Sequence, residues 1–98
     1  MNAYNIRQLK KMREQVASYQ VGDLSLQSLI GDLIFLRDSL TETKDDWERE
    51  LTYLIVDLES ANTYALEKNN GKLDSMTSKI VYDALEKLAI LIEKSMEA

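Results

Sequence analysis

Tyr19-Gln20-Val21-Gly22-Asp23-Leu24-Ser25-Leu26-Gln27-Ser28-Leu29-Ile30-Gly31-Asp32-Leu33 reads as the end of one helix, a short glycine-bearing turn and the start of the next. Gly22 can take the left-handed backbone conformation that commonly closes a helix. Ser25 can accept a hydrogen bond from a backbone N–H in the first turn of the following helix. Wound at about 100° per residue, Leu26, Leu29, Ile30, Leu33, Leu36 and Leu40 share one side. A second helix is therefore expected from Ser25 to about Leu40 or Thr41, with that side in a core. Nothing in the stretch is chemically reactive, so it speaks of architecture before function.

Upstream, Ile6, Leu9, Met12, Val16 and Tyr19 recur at steps of three and four, which predicts a first helix from about Asn2 to Gln20. Its polar side carries Arg7, Lys10, Lys11 and Arg13 against a lone Glu14, a segment charge of +3 up to Gly22. Without interleaved stacking aromatics, this reads as a solvated face leaning on acidic neighbours rather than a nucleic-acid surface. Downstream, Thr41-Glu42-Thr43-Lys44-Asp45-Asp46 is a short polar connector. A third helix from about Lys44 to Lys68 follows, with Trp47, Leu51, Leu54, Leu58, Ala61 and Ala65 on its core side and Trp47 as anchor. Asn69-Asn70-Gly71 ends it, these residues being suited to left-handed caps. Asp74 or Ser75 can then cap a fourth helix to about Met96, whose apolar face takes in Ile80, Val81, Ala84, Leu85, Leu88, Leu91 and Ile92. The expected fold is all-α, an antiparallel four-helix bundle with short connections and a single helical domain over 1–98.

Composition agrees and removes much chemistry. The 98 residues include no proline, three glycines and 45% hydrophobic side chains, which favours long uninterrupted helices. There is no cysteine and no histidine, so thiol nucleophiles, imidazole bases and the usual zinc ligands are absent. The acids Asp45, Asp46, Glu48 and Glu50 fall in one first turn, where the helix dipole accounts for them. A bundle di-metal site needs Glu-x-x-His motifs, and no phosphate-binding or calcium-binding loop is present. Arg7, Arg13, Arg37 and Arg49 show no spacing that converges on a dianion. No enzyme, no metal and no cofactor are expected. No apolar run approaches the roughly 20 residues of a membrane span, and the N-terminus lacks a signal peptide's hydrophobic core, so a cytoplasmic protein without a membrane partner is expected. The net charge of −5 argues against direct nucleic-acid binding and for a basic partner.

Several residues depart from the helical pattern. Arg37 falls among the leucines of the second helix, and a cation there is expected to pair with an acid on another helix. Phe35 points to the opposite side, with Gly31, Asp38, Ser39 and Glu42 around it. It is either covered by a neighbouring helix or an exposed anchor for a partner. On the third helix, Asp46, Glu50, Tyr53, Asp57, Ser60 and Tyr64 form a second stripe beside the apolar one. Either the tyrosine rings cover core edges, or the stripe is a binding surface in which tyrosine supplies contact area and carboxylates meet cations. Tyr82 and Ile90 fall outside the apolar face of the fourth helix, which leaves room for a homodimer.

The run Tyr19-x-x-Gly22-x-x-Ser25-Leu26-x-x-Leu29-Ile30-x-Asp32-Leu33-x-x-Leu36, followed by Trp47 and by Asp57-Leu58-Glu59, resembles a family of small helical bacterial proteins encoded in contact-dependent inhibition and polymorphic-toxin loci. The resemblance covers roughly Tyr19 to Tyr64. It implies an immunity protein, a toxin inhibitor that binds and neutralises the toxic C-terminal domain of a cognate secreted protein. Many such toxins are nucleases with basic active sites, which an acidic helical surface could block. Asp23 to Glu42 carries one cation and four carboxylates, and Thr43 to Asn70 three cations and seven carboxylates, so the acid concentrates on the second and third helices. The candidate toxin-binding residues are Phe35, Asp38, Glu42, Asp46, Glu50, Tyr53, Asp57 and Tyr64. The alternative is a small helical adaptor or structural protein that dimerises and binds another cellular protein.

Overall fold

A computed structural model describes residues 1–97. Its four helices are α1 (Ala3–Gln20), α2 (Leu26–Ser39), α3 (Asp45–Lys68) and α4 (Ser75–Glu97), with no strand among the described residues. Most boundaries follow from local capping chemistry, the start of α3 excepted, where Lys44 makes no side-chain capping bond. Asn2 caps α1 by accepting the Asn5 N–H at 2.7 Å. At its other end Gly22 has φ +86°, and the Gly22 and Asp23 N–H groups turn back to the carbonyls of Tyr19 and Ser18 at 3.0 and 2.9 Å. This paired closure satisfies carbonyls that the helix itself leaves open. Ser25 then caps α2 by accepting the Ser28 N–H at 3.1 Å. Asn70 and Gly71, with φ of +54° and +81°, close α3.

Asp74, rather than Ser75, caps α4. Its carboxylate accepts the Thr77 N–H at 2.9 Å while the Thr77 hydroxyl accepts the Asp74 N–H at 2.9 Å, a reciprocal box that satisfies two orphan donors. The Thr77 N–H, together with the Thr77 hydroxyl that donates to the same carboxylate oxygen at 2.9 Å, holds the Asp74 carboxyl below its ordinary pKa.

The helices pack in a ring, α1 on α2, α2 on α3, α3 on α4 and α4 on α1, with no close backbone approach across either diagonal among the described residues. Neighbours run antiparallel. The start of α1 meets the end of α2 through Asn5 and Thr41, and the start of α3 meets the end of α4 through Trp47 and Ser95. The bundle measures 41 × 26 × 19 Å. Its core is one cluster, in which Leu9, Met12, Leu29, Leu33, Leu51 and Leu58 are essentially inaccessible.

Several packing details differ from the sequence-based expectation. Ile55 is buried although the four-three alternation omitted it, because α3 presents a broad face to both α2 and α4. Ile80, expected in the core face of α4, is 38% exposed at the margin toward α3. Trp47 is half-buried against the edge of the core, and Ile6 and Tyr19 lie partly exposed at the margins of α1. Arg37 does not reach an acid on another helix. Its Nε donates to Asp38 on its own helix at 3.0 Å, and its Nη1 reaches the Thr52 hydroxyl of α3 at 3.5 Å. The stem is shielded while the head stays near water, where the adjacent carboxylate is at hand.

Two buried polar connections join the helices at the end of the bundle that holds the start of α1. The Asn5 side chain, 1% exposed, receives the Thr41 N–H at 3.0 Å and donates to the Thr41 carbonyl at 2.5 Å. It thereby fastens the α2–α3 connector to α1. The Trp47 indole N–H donates to the Ser95 hydroxyl at 2.7 Å, and that hydroxyl donates to the Leu91 carbonyl at 2.8 Å. Each buried donor finds an acceptor, as burial demands.

Candidate functional site

Ring packing gives the bundle four long grooves, and the groove between α1 and α2 lies opposite that between α3 and α4. This arrangement divides the candidate residues. Phe35 is 74% exposed, so of the two readings open to it the ring is uncovered. It borders a depression of about 330 Å³ between α1 and α2, with Lys11, Glu14, Gln15 and Asp32. Gln15 Nε2 donates to Asp32 Oδ2 at 2.6 Å, which ties the two helices beneath it. Asp38 is engaged by Arg37, and Glu42 lies past the end of α2 in the connector with φ +53°.

The other five residues belong to α3 and point away from the core. Asp46, Glu50, Tyr53, Asp57 and Tyr64 are all exposed, with Tyr53 at 62%. Tyr53 stands largely in solvent, whereas Tyr64 is 41% exposed. Asp46 pairs with Arg49 at 3.5 Å, whereas Glu50 and Asp57 make no ion pair among the described residues. Glu50 shares a depression with Lys87, Ile90 and Lys94 of α4; Asp57 shares the next with Ile80, Asp83 and Lys87. Tyr64 borders a shallow hollow on α3 with Val56, Glu59 and Glu67. Glu50 and Asp57 thus border the groove between α3 and α4, Tyr53 stands between them on the outside of α3, and Phe35 lies across the molecule from them.

Sequence reasoning assigned the stripe to α3 but did not foresee its border on α4. Lys87 and Lys94 face the acids, while Ile80 and Ile90 add apolar surface between the charges. The signal existed, since residues 80, 83, 87, 90 and 94 also recur at helical spacing, but a pairing of two helices was needed to bring the rows together. A further apolar hollow of about 450 Å³ lies at the far end of the bundle, bordered by Tyr19, Leu24, Leu73, Val81, Tyr82 and Leu85. Burial there pushes the Tyr19 hydroxyl above its ordinary pKa.

Among the described residues no three carboxylates gather into a group that could hold a metal ion, and no helix is long and apolar enough to cross a membrane. The arrangement offers a partner long helical faces with exposed rings and fixed charges, which suits protein recognition. No family model matches the chain, and neither a curated protein nor a solved structure shows significant similarity to it.

Proposed function

We propose that the chain is an immunity protein that binds and neutralises the toxic C-terminal domain, a nuclease, of a cognate contact-dependent inhibition toxin in the cytoplasm. The observation that carries this reading is the exposed row Glu50, Tyr53, Asp57 and Tyr64 on α3. The core does not require these side chains, yet they combine large amphipathic rings with carboxylates, the composition of a contact surface for a basic protein. The motif from Tyr19 to Tyr64 supplies the kind of partner. Its cap and core positions build the scaffold, and the row on α3 lies on the outside of what they position. Lys87 and Lys94 beside the row make the surface a patterned one, which favours selection of one partner over others of similar charge.

The test begins with the reading frame beside the gene, whose product's C-terminal domain is purified and titrated calorimetrically with this chain. A tight complex is expected, together with rescue of cells that produce the toxic domain. Replacing Tyr53, Asp57 and Tyr64 together by alanine should weaken binding at least a hundredfold, the effect of losing hot-spot positions. Unchanged affinity would rule out this surface, and no complex would rule out the reading. The adaptor reading draws on exposed Tyr82 and Ile90 of α4, and gains if the chain captures no toxin yet self-associates.

A further inference from the structure

The α3–α4 face is complementary to itself, and we infer that in the absence of another partner the chain forms a two-fold dimer in which α3 of each copy lies on α4 of the other. The register within one chain fixes what such a dimer brings together. Glu50 stands level with Lys87, Ile90 and Lys94, and Asp57 level with Ile80, Asp83 and Lys87. Tyr53 lies between them, level with Lys87, and Tyr64 lies two turns further toward Met76 and Ile80.

A two-fold axis in the interface, parallel to the bundle, carries each residue of α3 across to α4 of the second copy at unchanged height. Glu50 then meets Lys87 and Lys94 of the other copy, Tyr53 approaches Ile90, and Tyr64 approaches Met76 and Ile80. Asp83, the one α4 carboxylate in the row, is already held by Lys79 at 3.5 Å, so it opposes Asp57 less. Each contact occurs twice. The other two-fold arrangement, with its axis across the helices, sets α3 on α3 and so acid against acid. Like charges brought together at an interface oppose it, which selects the first arrangement.

The size is sufficient. The narrower long face of a bundle 41 × 26 × 19 Å spans about 800 Å² in outline, comparable with the area each partner contributes to a stable interface. Met76, Tyr53, Ile80, Ile90 and Tyr64 supply the exposed apolar surface such a contact removes from water. The inference is independent of the toxin reading, because it concerns the chain alone. If both hold, a second copy and the toxin compete for Tyr53.

Sedimentation equilibrium of the full chain tests it. The wild type is expected to be a dimer at high micromolar concentration. Glu50→Lys and Lys87→Glu should each weaken association about tenfold or more, since each reversal acts at two symmetric contacts. An equimolar mixture of the two variants should recover a heterodimer, because Lys at position 50 of one variant then faces Glu at position 87 of the other, while the native Glu50 and Lys87 meet in the second half. Ile90→Glu, at a position already 50% exposed, should also dissociate the dimer with far-UV circular dichroism unchanged. A monomeric wild type would overturn the inference. So would single reversals that remain dimeric, or a mixture that stays monomeric.

Discussion

Replacing Asn5 by alanine removes the side chain that holds the α2–α3 connector. Two hydrogen bonds to the Thr41 backbone, at 2.5 and 3.0 Å, are lost together with a long one from the exposed Thr41 hydroxyl at 3.4 Å, which water replaces. At about 0.5–1.5 kcal/mol net for each backbone bond, the expected destabilisation is about 1–3 kcal/mol. Thr41 is exposed, so water can reach its freed N–H and carbonyl, which keeps the cost from rising to the full desolvation penalty. A domain of this size has only about 5–15 kcal/mol of stability in all, and each 1 kcal/mol lowers Tm by about 4–8 °C.

Asn5→Asp separates the two bonds. The carboxylate still accepts the Thr41 N–H, but at neutral pH it sets a second oxygen against the Thr41 carbonyl. The folded state therefore disfavours the charged form and raises this carboxyl's pKa above its unfolded value. The sign follows: relative to wild type the penalty is full above the folded pKa and shrinks as pH falls through it toward the unfolded value, because a protonated carboxyl can donate to that carbonyl. Urea unfolding followed by far-UV circular dichroism and by Trp47 fluorescence, at neutral and at acid pH, measures both variants. A shift within about 0.5 kcal/mol for Asn5→Ala, the range of an ordinary surface substitution, would refute the role given to Asn5.

Two glycines give opposite results under one substitution. Gly22→Ala should cost about 1–2 kcal/mol, because φ is +86° while no atom lies within 4 Å of the added Cβ, so the loss is conformational alone. Gly31→Ala, within α2 and equally unobstructed, should stabilise by about 0.5–1 kcal/mol. Paired thermal melts check both, and a loss of stability at Gly31 would show an unrecognised contact there. Asp74→Asn keeps a capping oxygen but removes the charge. Since the Asp74 pKa is lowered in the folded protein, its charge contributes stability above its ordinary value near 3.8. The wild type should therefore exceed the variant at neutral pH and lose that advantage as pH falls below that value, as chemical denaturation at pH 7 and in acid would reveal.

Helix boundaries were legible in the sequence because their causes are local. Gly22, Ser25 and the Asn69-Asn70-Gly71 turn act within a few residues of themselves, so spacing along the chain is enough to identify them. Core positions were legible to the extent that one face meets one neighbour. Ile55 and Ile80 broke that rule, since α3 touches two helices and the margin of α4 is left uncovered. Asn5 gave no signal at all. An asparagine in a first turn looks like any polar residue until a connector 36 positions away returns to it. Arg37 misled for the same kind of reason, as its nearest carboxylate proved to be the next residue in the chain. For the candidate surface, the stripe on α3 could be read from periodicity. Its division from Phe35 could not, because the order of helices around the ring decides which groove each side chain enters.

The ring has a consequence for how the chain reaches its native state. Three of its four helix adjacencies join consecutive helices across connectors of five or six residues, so each can form as a hairpin without first closing a long loop. Only α1 against α4 demands distant partners, sealed at the surface by Arg13 and Glu93 at 3.1 Å. Low sequence separation between contacts favours rapid folding. Because α1 begins and α4 finishes at the same end of the bundle, a circular permutant opened at the Asn70-Gly71 turn would keep every adjacency and change only which one closes last.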